Sequence, residues 1–413
     1  MSRQGLRQNV TDDARRDDSR RLKLATELES SGLRLKHAQV TPSMTSPDFW
    51  NRFGLRLEDR EFCLEALRHR YEDYEVDEYS EQGYCSYTLL VTPPKVAFGR
   101  ENTRHQATAE VECEGEPALI VQLRPPQHAL DLNIVRAAST AHPALAPTIE
   151  DLDLSLPRGI RAYEMRKVDG TPLSRLQQHG HSLDDSAGER LGRLITSFAD
   201  LVAQSWLSPQ KVHYIARTVR ADSPMDERPS MLAQCRGKVG STMISRLERL
   251  ASELPDAYLR ERARETMRAI QRMEKYPVVL NHGDLIPSNI LIDKNTWEIT
   301  GLVDWAEAEY LPFGTCLYGL EYLLGYLTSP HSELTPTWTY LDGAAQLRAL
   351  FWSRIFDAVP ESEARMDDVR VMRDVGVLLW HGIAWDNGAI DRVVNDVDDV
   401  EELVKLRTFL TAG

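Results

Sequence analysis

The chain has 413 residues, 42% hydrophobic and 27% charged, with a mean hydropathy of −0.40, the make-up of a globular chain rather than a disordered or collagenous one. Its length suits two or three compact units at roughly 100 to 200 residues per domain. Sixty-three acidic against 49 basic residues give a formal charge of −14, which disfavours a general nucleic-acid or anionic-membrane binder, because either needs a basic face.

No apolar run approaches the ~18 residues that span a bilayer, and the first 21 residues lack the apolar stretch of a secretory signal. A cytoplasmic location with no membrane partner is expected. The five cysteines, Cys63, Cys85, Cys113, Cys235 and Cys316, are odd in number and at least 22 positions apart. That spacing suits neither a disulfide framework nor a Cys-x-x-Cys metal site, so reduced thiols are expected.

In chain order, residues 1–44 mix Arg, Asp, Ser and Glu with little apolar content before Leu22. They read as a mobile charged leader with one helix near 20–31. Leu64, Leu67 and Tyr71, at three- and four-residue steps, predict an amphipathic helix over 57–71. Strand-like segments at 74–79, 84–91, 108–113 and 118–123, with Gly115 in a turn before the last, point to a small antiparallel sheet. A helix over 130–141 and an edge strand over 160–165 lead to the breaker cluster Asp169-Gly170-Thr171-Pro172, a natural hinge. Beyond it the pattern is mostly helical, over 190–207, 231–254 and 256–276, then from 317 to the end, with the last helix over 400–410. Short apolar strands at 277–280, 290–292 and 299–303 interrupt that half. The expected class is therefore α+β: an N-lobe over 45–165 built on a small antiparallel sheet, and a larger, mainly helical C-lobe over 166–413.

The chemistry concentrates in Asn281-His282-Gly283-Asp284-Leu285-Ile286-Pro287-Ser288-Asn289-Ile290-Leu291-Ile292-Asp293 and in Ile299-Thr300-Gly301-Leu302-Val303-Asp304-Trp305. Phosphoryl transfer from ATP asks little covalent help of a protein. It does need a carboxylate to receive the acceptor's proton and oxygen ligands for magnesium on the phosphates. Asp284 is the candidate carboxylate. Asn289, five positions later, and Asp304, at the end of the next strand, are the candidate magnesium ligands. His282 would brace the loop by hydrogen bonds, and Gly283 permits a tight backbone there. Asp and Asn in loops are more often turn residues than ligands. Here the apolar strand that follows, with Asp304 at its end, favours the catalytic-loop reading.

With these residues in view, the chain resembles the aminoglycoside phosphotransferase and choline kinase superfamily. Residues 281–293 and 303–305 are similar to its two signature segments. Gln82-Gly83-Tyr84-Cys85-Ser86-Tyr87-Thr88, Val121-Gln122-Leu123-Arg124-Pro125 and Trp380-His381-Gly382-Ile383-Ala384-Trp385 resemble a largely uncharacterised fungal branch of it, as do Pro312-Phe313-Gly314 and Leu317-Tyr318-Gly319-Leu320-Glu321. The resemblance covers roughly residues 50–410. It implies a bilobal protein-kinase-like fold, with ATP in the cleft between lobes and a small molecule as acceptor.

Carried over residue by residue, the resemblance makes Asp284 the catalytic base and Asn289 and Asp304 the metal ligands. Arg124 would hold the α- and β-phosphates, with Gln122 two residues earlier on the same strand face. No Glu occurs between Gln127 and Ala146 to pair with Arg124, and Asp131 is the candidate there. Gly83 would shape the loop over the phosphates and Ser86 would donate to one of them. Glu164 and Met165, with Tyr163, lie where the family's hinge backbone meets adenine. Glu307 and Glu309 would suit a cationic acceptor, although two acids in a loop are usually just solvated. Asp386 is a candidate for the acceptor pocket. Trp380, His381 and Trp385 read as core residues of an apolar helix, and the acidic run 396–402 as the start of the last helix. The resulting expectation is an ATP- and magnesium-dependent phosphotransferase acting on a hydroxyl, in preference to an amine, of a small metabolite. The alternative is a catalytically weak pseudokinase that binds nucleotide or metabolite as a regulatory module, motivated by the thin glycine loop and the missing Glu.

Overall fold

The computed structural model describes residues 48–94, 117–177, 183–207, 230–273, 275–328, 335–386 and 389–412. The leader with its helix near 20–31, Cys113, and the strand expected at 108–113 with its turn at Gly115 lie outside the described residues. Five strands, β1 (Glu75–Glu78), β2 (Tyr87–Thr92), β3 (Leu119–Arg124), β4 (Ile149–Asp151) and β5 (Arg161–Arg166), form one antiparallel sheet in the order β1-β2-β3-β5-β4. Strand alternation sorts its two faces. Leu89, Val91, Val121, Leu123 and Ala162 pack with Leu67 of helix α1 (Leu57–Arg70) and with Tyr71, which caps its C-terminus, in a core of their own. The other face carries Thr88, Gln122 and Tyr163, which are cross-strand neighbours.

Helix α2 (Leu132–Ala141) connects β3 to β4 and buries Val135 and Ala138 in the larger core. β5 is an interior strand, not the expected edge, because β4 closes the sheet beside it. Beyond Gly170, a two-residue strand β6 (Thr171–Pro172) joins β8 (Ile290–Ile292) and β9 (Ile299–Leu302), while β7 (Val278–Asn281) pairs with β10 (Glu309–Pro312).

Around these strands pack α3 (Asp185–Leu207), α4 (Met243–Glu253), α5 (Ala257–Ile270), α6 (Tyr318–Leu324), α7 (Ala344–Ala358), α8 (Met366–Gly382) and α9 (Val400–Thr411). Phe198, Leu247, Ile290, Phe313, Phe351, Leu378 and Phe409 join them in one core. The architecture is thus α+β and bilobal, a small antiparallel sheet with a larger helical part, as expected.

Two further expectations fail. The helix anticipated over 231–254 is interrupted: a short turn at Met231–Gln234 and a loop precede α4. The helical tail contains two hairpins, β11 (Gly325–Thr328) with β12 (Thr337–Tyr340), and β13 (Ile383–Asp386) with β14 (Ala389–Val393). Aromatic and β-branched residues such as Tyr326, Thr337, Trp338, Thr339 and Tyr340 favour pleated backbone over helix. Trp385 accordingly sits on β13 rather than on a helix.

Candidate active site

The loop between β7 and β8 is fixed at its start by Asn281, whose side-chain amide donates to the Val279 and Leu311 carbonyls, each at 3.1 Å, while its oxygen accepts from the Thr315 hydroxyl at 3.0 Å. His282 is buried against the Trp305 ring, with centroids 4.5 Å apart. Its Nδ1 accepts from the Asp284 amide at 3.3 Å, so the ring proton is on Nε2, which donates to the Val303 carbonyl at 2.9 Å. Burial pushes its pKa down to about 4, against the opposing pull of Asp304, so the ring is a neutral brace between the two signature segments. Gly283 has φ +78°, and a Cβ there would come within 1.9 Å of the Glu307 carbonyl oxygen. Only glycine fits that crossing.

Asp284 follows directly. Asn289 Nδ2 donates to its backbone carbonyl and to its Oδ2, both at 2.9 Å, whereas Oδ1 is buried with no hydrogen-bond partner. Burial pushes the pKa of Asp284 up to about 8, and the charge of Asp304 adds to the effect. The next residue is also anchored, the Leu285 amide donating to the Tyr318 hydroxyl at 3.0 Å. Asp304 closes the constellation. It leaves β9 in the left-handed region, φ +60° and ψ +64°, a conformation that Asp tolerates better than most residues. Arg124 Nη2 lies 3.1 Å from its Oδ1, and Arg124 Nε donates to the Gln122 side chain at 3.0 Å. The structure therefore brings together His282, Asp284, Asn289, Asp304, Arg124 and Gln122, drawn from three strand ends and one loop.

Residues 99–315, more than half of the chain, match the phosphotransferase enzyme family. The chain belongs to that family. It is 30% identical over 150 residues to an aminoglycoside 3'-phosphotransferase from Streptomyces fradiae, a match covering 33% of this chain and 52% of the relative. The chain thus spans about half the length of this curated relative. Among solved structures it is similar to a type I macrolide 2'-phosphotransferase, with 15% identity, 87% of this chain and 99% of the other covered, and a TM-score of 0.46. A macrolide 2'-phosphotransferase from Brachybacterium faecium is similar at 16% identity, 73% and 84% coverage, and a TM-score of 0.41.

Within this phosphotransferase-family chain the remaining candidates separate. Ser86 is buried, its hydroxyl 3.4 Å from that of Thr88, and Gly83 packs near it. Between them, the Tyr84 ring lies under the Arg52 guanidinium and edge-on to Trp385. Burial pushes the Cys85 thiol up to about 11, and the charges of Arg124, Asp304, Glu307 and Lys238 all act on it.

Three expectations need correction. Asp131 does not pair with Arg124. It caps α2, accepting from the Asn133 amide at 2.9 Å, and the buried guanidinium takes Asp304 instead. Glu164 turns its carboxylate to the Tyr71 hydroxyl on the α1 side of the sheet. Glu164 and Met165 have ladder partners on both sides, so the chain leaves the sheet only after Arg166 and any backbone offered to a ligand begins there. Glu309 is not a surface acid. It is 7% exposed, and its carboxylate accepts from the Val239 amide at 3.0 and 3.1 Å and from the Gly240 amide at 2.8 Å. Asp386 is bound to Arg392 at 2.8 and 3.1 Å, and that arginine also bridges to Asp399. Glu307 does lie near the cluster, where it faces Lys238 at 3.5 Å. Lys238 escaped the sequence reading. Its one signal is Gly237 and Gly240 interrupting an otherwise helical pattern.

Proposed function

We propose that the chain is an ATP- and magnesium-dependent phosphotransferase that phosphorylates a hydroxyl, in preference to an amine, of a small molecule. In this reading the nucleotide lies between a sheet lobe over 45–165 and a helical lobe over 166–413. The observation that carries it is Asp284 Oδ1, a buried carboxylate oxygen without a partner beside Asn289 and Asp304. An unsatisfied buried acceptor is costly unless a ligand meets it. A substrate hydroxyl is the group that fits.

The acceptor oxygen attacks the γ-phosphorus, the bond from that phosphorus to the oxygen of the departing ADP breaks, and the hydroxyl proton passes to Asp284. Asn289 uses its nitrogen on Asp284, which leaves its amide oxygen for a cation, and Asp304 offers a half-exposed carboxylate. Two hard-oxygen ligands suit magnesium, which takes the rest of its shell from phosphate and water and neutralises phosphate charge when bound. His282 holds both segments in register and carries no proton in the step. Arg124 would bind phosphate oxygens through its fork of donors. Similarity to an aminoglycoside 3'-phosphotransferase supports phosphoryl transfer to a small molecule.

The test is Asp284→Asn, which keeps the shape but removes the charge that takes up the proton. Acceptor phosphorylation should fall by about a hundredfold or more, while calorimetric affinity for ATP and magnesium barely moves. A wild type that binds nucleotide yet shows no turnover above the Asp284→Asn background, across a broad panel of hydroxyl and amine metabolites, would favour the regulatory binding module instead.

A further inference from the structure

We propose that Lys238 is a second phosphate-binding cation of this site, presented by the helical half of the chain to the transferring end of the nucleotide while Arg124 reaches it from the sheet. The inference rests on the nucleotide-binding reading above. Its first support is the way the loop is held. Glu309 is buried, and its carboxylate collects the amides of Val239 and Gly240, with the Lys238 amide adding to them. Burial holds its pKa above the usual range despite those amides. A Cβ on Gly237, which has φ +108°, would come within 2.3 Å of the Glu309 carboxyl carbon. A buried acid seated on successive backbone amides fixes the loop, and with it the Cα of Lys238.

The second support is where the ammonium goes. Lys238 Nζ stands 3.5 Å from the Glu307 carboxylate, three residues beyond Asp304, and the Glu307 carbonyl packs on Gly283 of the catalytic loop. The Lys238 charge also acts on Cys85 and His128, two residues that feel Arg124 as well. With the Lys238 side chain 64% exposed, its contact with Glu307 is a surface ion pair, weak enough for the ammonium to exchange onto phosphate.

The third support is charge balance. The carboxylates of Asp304 and Glu307 lie beside Asp284, with Arg124 as the one buried cation the sheet supplies among the described residues. A triphosphate adds several negative charges at the same place, and the transition state spreads charge over the equatorial oxygens of the transferring group. Cations on both sides are what that chemistry uses.

The experiment measures AMP-PNP and AMP binding by calorimetry, in magnesium, for the wild type, Lys238→Met and Lys238→Arg. Expected are an affinity for AMP-PNP about tenfold lower in Lys238→Met, an unchanged affinity for AMP, and recovery in Lys238→Arg. AMP-PNP binding within twofold of wild type, or equal losses for AMP and AMP-PNP, overturns the role of Lys238 and leaves the kinase reading standing. A wild type that binds no AMP-PNP overturns both.

Discussion

Arg124 and Asp304, 180 positions apart, are bound to each other at 3.1 Å, the first 3% exposed and the second 46%. A buried guanidinium needs a counter-charge. Helix α2 offers none, because Asp131 is engaged in capping it. The proposed phosphate-binding cation and the proposed metal ligand thus hold one another, and a magnesium nucleotide would give each a new partner.

Replacing Arg124 by Ala should lower ATP affinity or turnover at least about tenfold, the worth of one charge-assisted contact. Gln122→Ala, which removes only the acceptor for Arg124 Nε, should have a smaller effect. Calorimetry on both variants checks the order. A reversed order would give the phosphate-binding role to Gln122.

Asp304→Asn keeps a residue that tolerates φ +60° and loses the carboxylate. Turnover should fall by about a hundredfold or more and nucleotide binding should lose its magnesium dependence, and the melting temperature should drop because buried Arg124 loses its counter-charge. Titration of ATP with magnesium or with EDTA decides it. Unchanged turnover would remove Asp304 from the metal site.

Gly283→Ala should be more damaging than its size suggests. It combines a left-handed backbone with a 1.9 Å approach to the Glu307 carbonyl, so the loop must move away from residues 304–307. We expect a loss of about 2 kcal/mol or more, from backbone strain plus overpacking, together with reduced turnover because Asp284 is the next residue. Thermal melts beside activity assays test both parts, and a variant that matches wild type in both contradicts the packing argument.

Acid stability is assigned to a buried trio at the end of the chain. Glu402 accepts from His381 Nδ1 at 2.7 Å and from Lys405 at 3.1 Å. Burial works to raise its pKa, but Lys405 and His381 outweigh it and hold the carboxyl well below the usual range. Its stabilisation is therefore fully present above the unfolded value, about 4.3, and is lost as pH falls below it. The melting temperature should drop on acidification from pH 5 toward 3, and Glu402→Gln should be less stable at pH 7 but show a shallower acid limb. Parallel limbs in the two proteins would place the acid sensitivity elsewhere.

The candidate catalytic segment was legible because the groups proposed for its chemistry are local. Asp284 and Asn289 share one loop, and Asp304 is one hairpin away, so spacing alone groups them. His282 as a brace followed from the same spacing. Arg124 was found through the family resemblance, which expects a cation on that strand, but its partner was not, since nearness in sequence favoured Asp131 and only the folded chain brings residue 304 beside 124. Glu309 misled for the opposite reason. An acid two residues from another acid reads as solvated or substrate-facing, whereas strand β10 turns this one inward onto amides 70 residues earlier. The same long-range contact hid the break in the 231–254 helix, which sequence periodicity carried straight across Gly237 and Gly240.

Glu309 and Asn281 face each other as partners in the β7–β10 ladder. Two arms of the site, the loop carrying residues 237–240 and the loop carrying Asp284, are therefore hung from a single rung. Because side chains alternate along a strand, one residue inserted into β10 directly after Glu309 would turn its carboxylate to the opposite face and release the 237–240 arm while leaving β7 intact. Such an insertion would uncouple the two arms without touching any residue assigned to the chemistry, and homologous chains can be expected to vary in length on either side of β10 rather than within it.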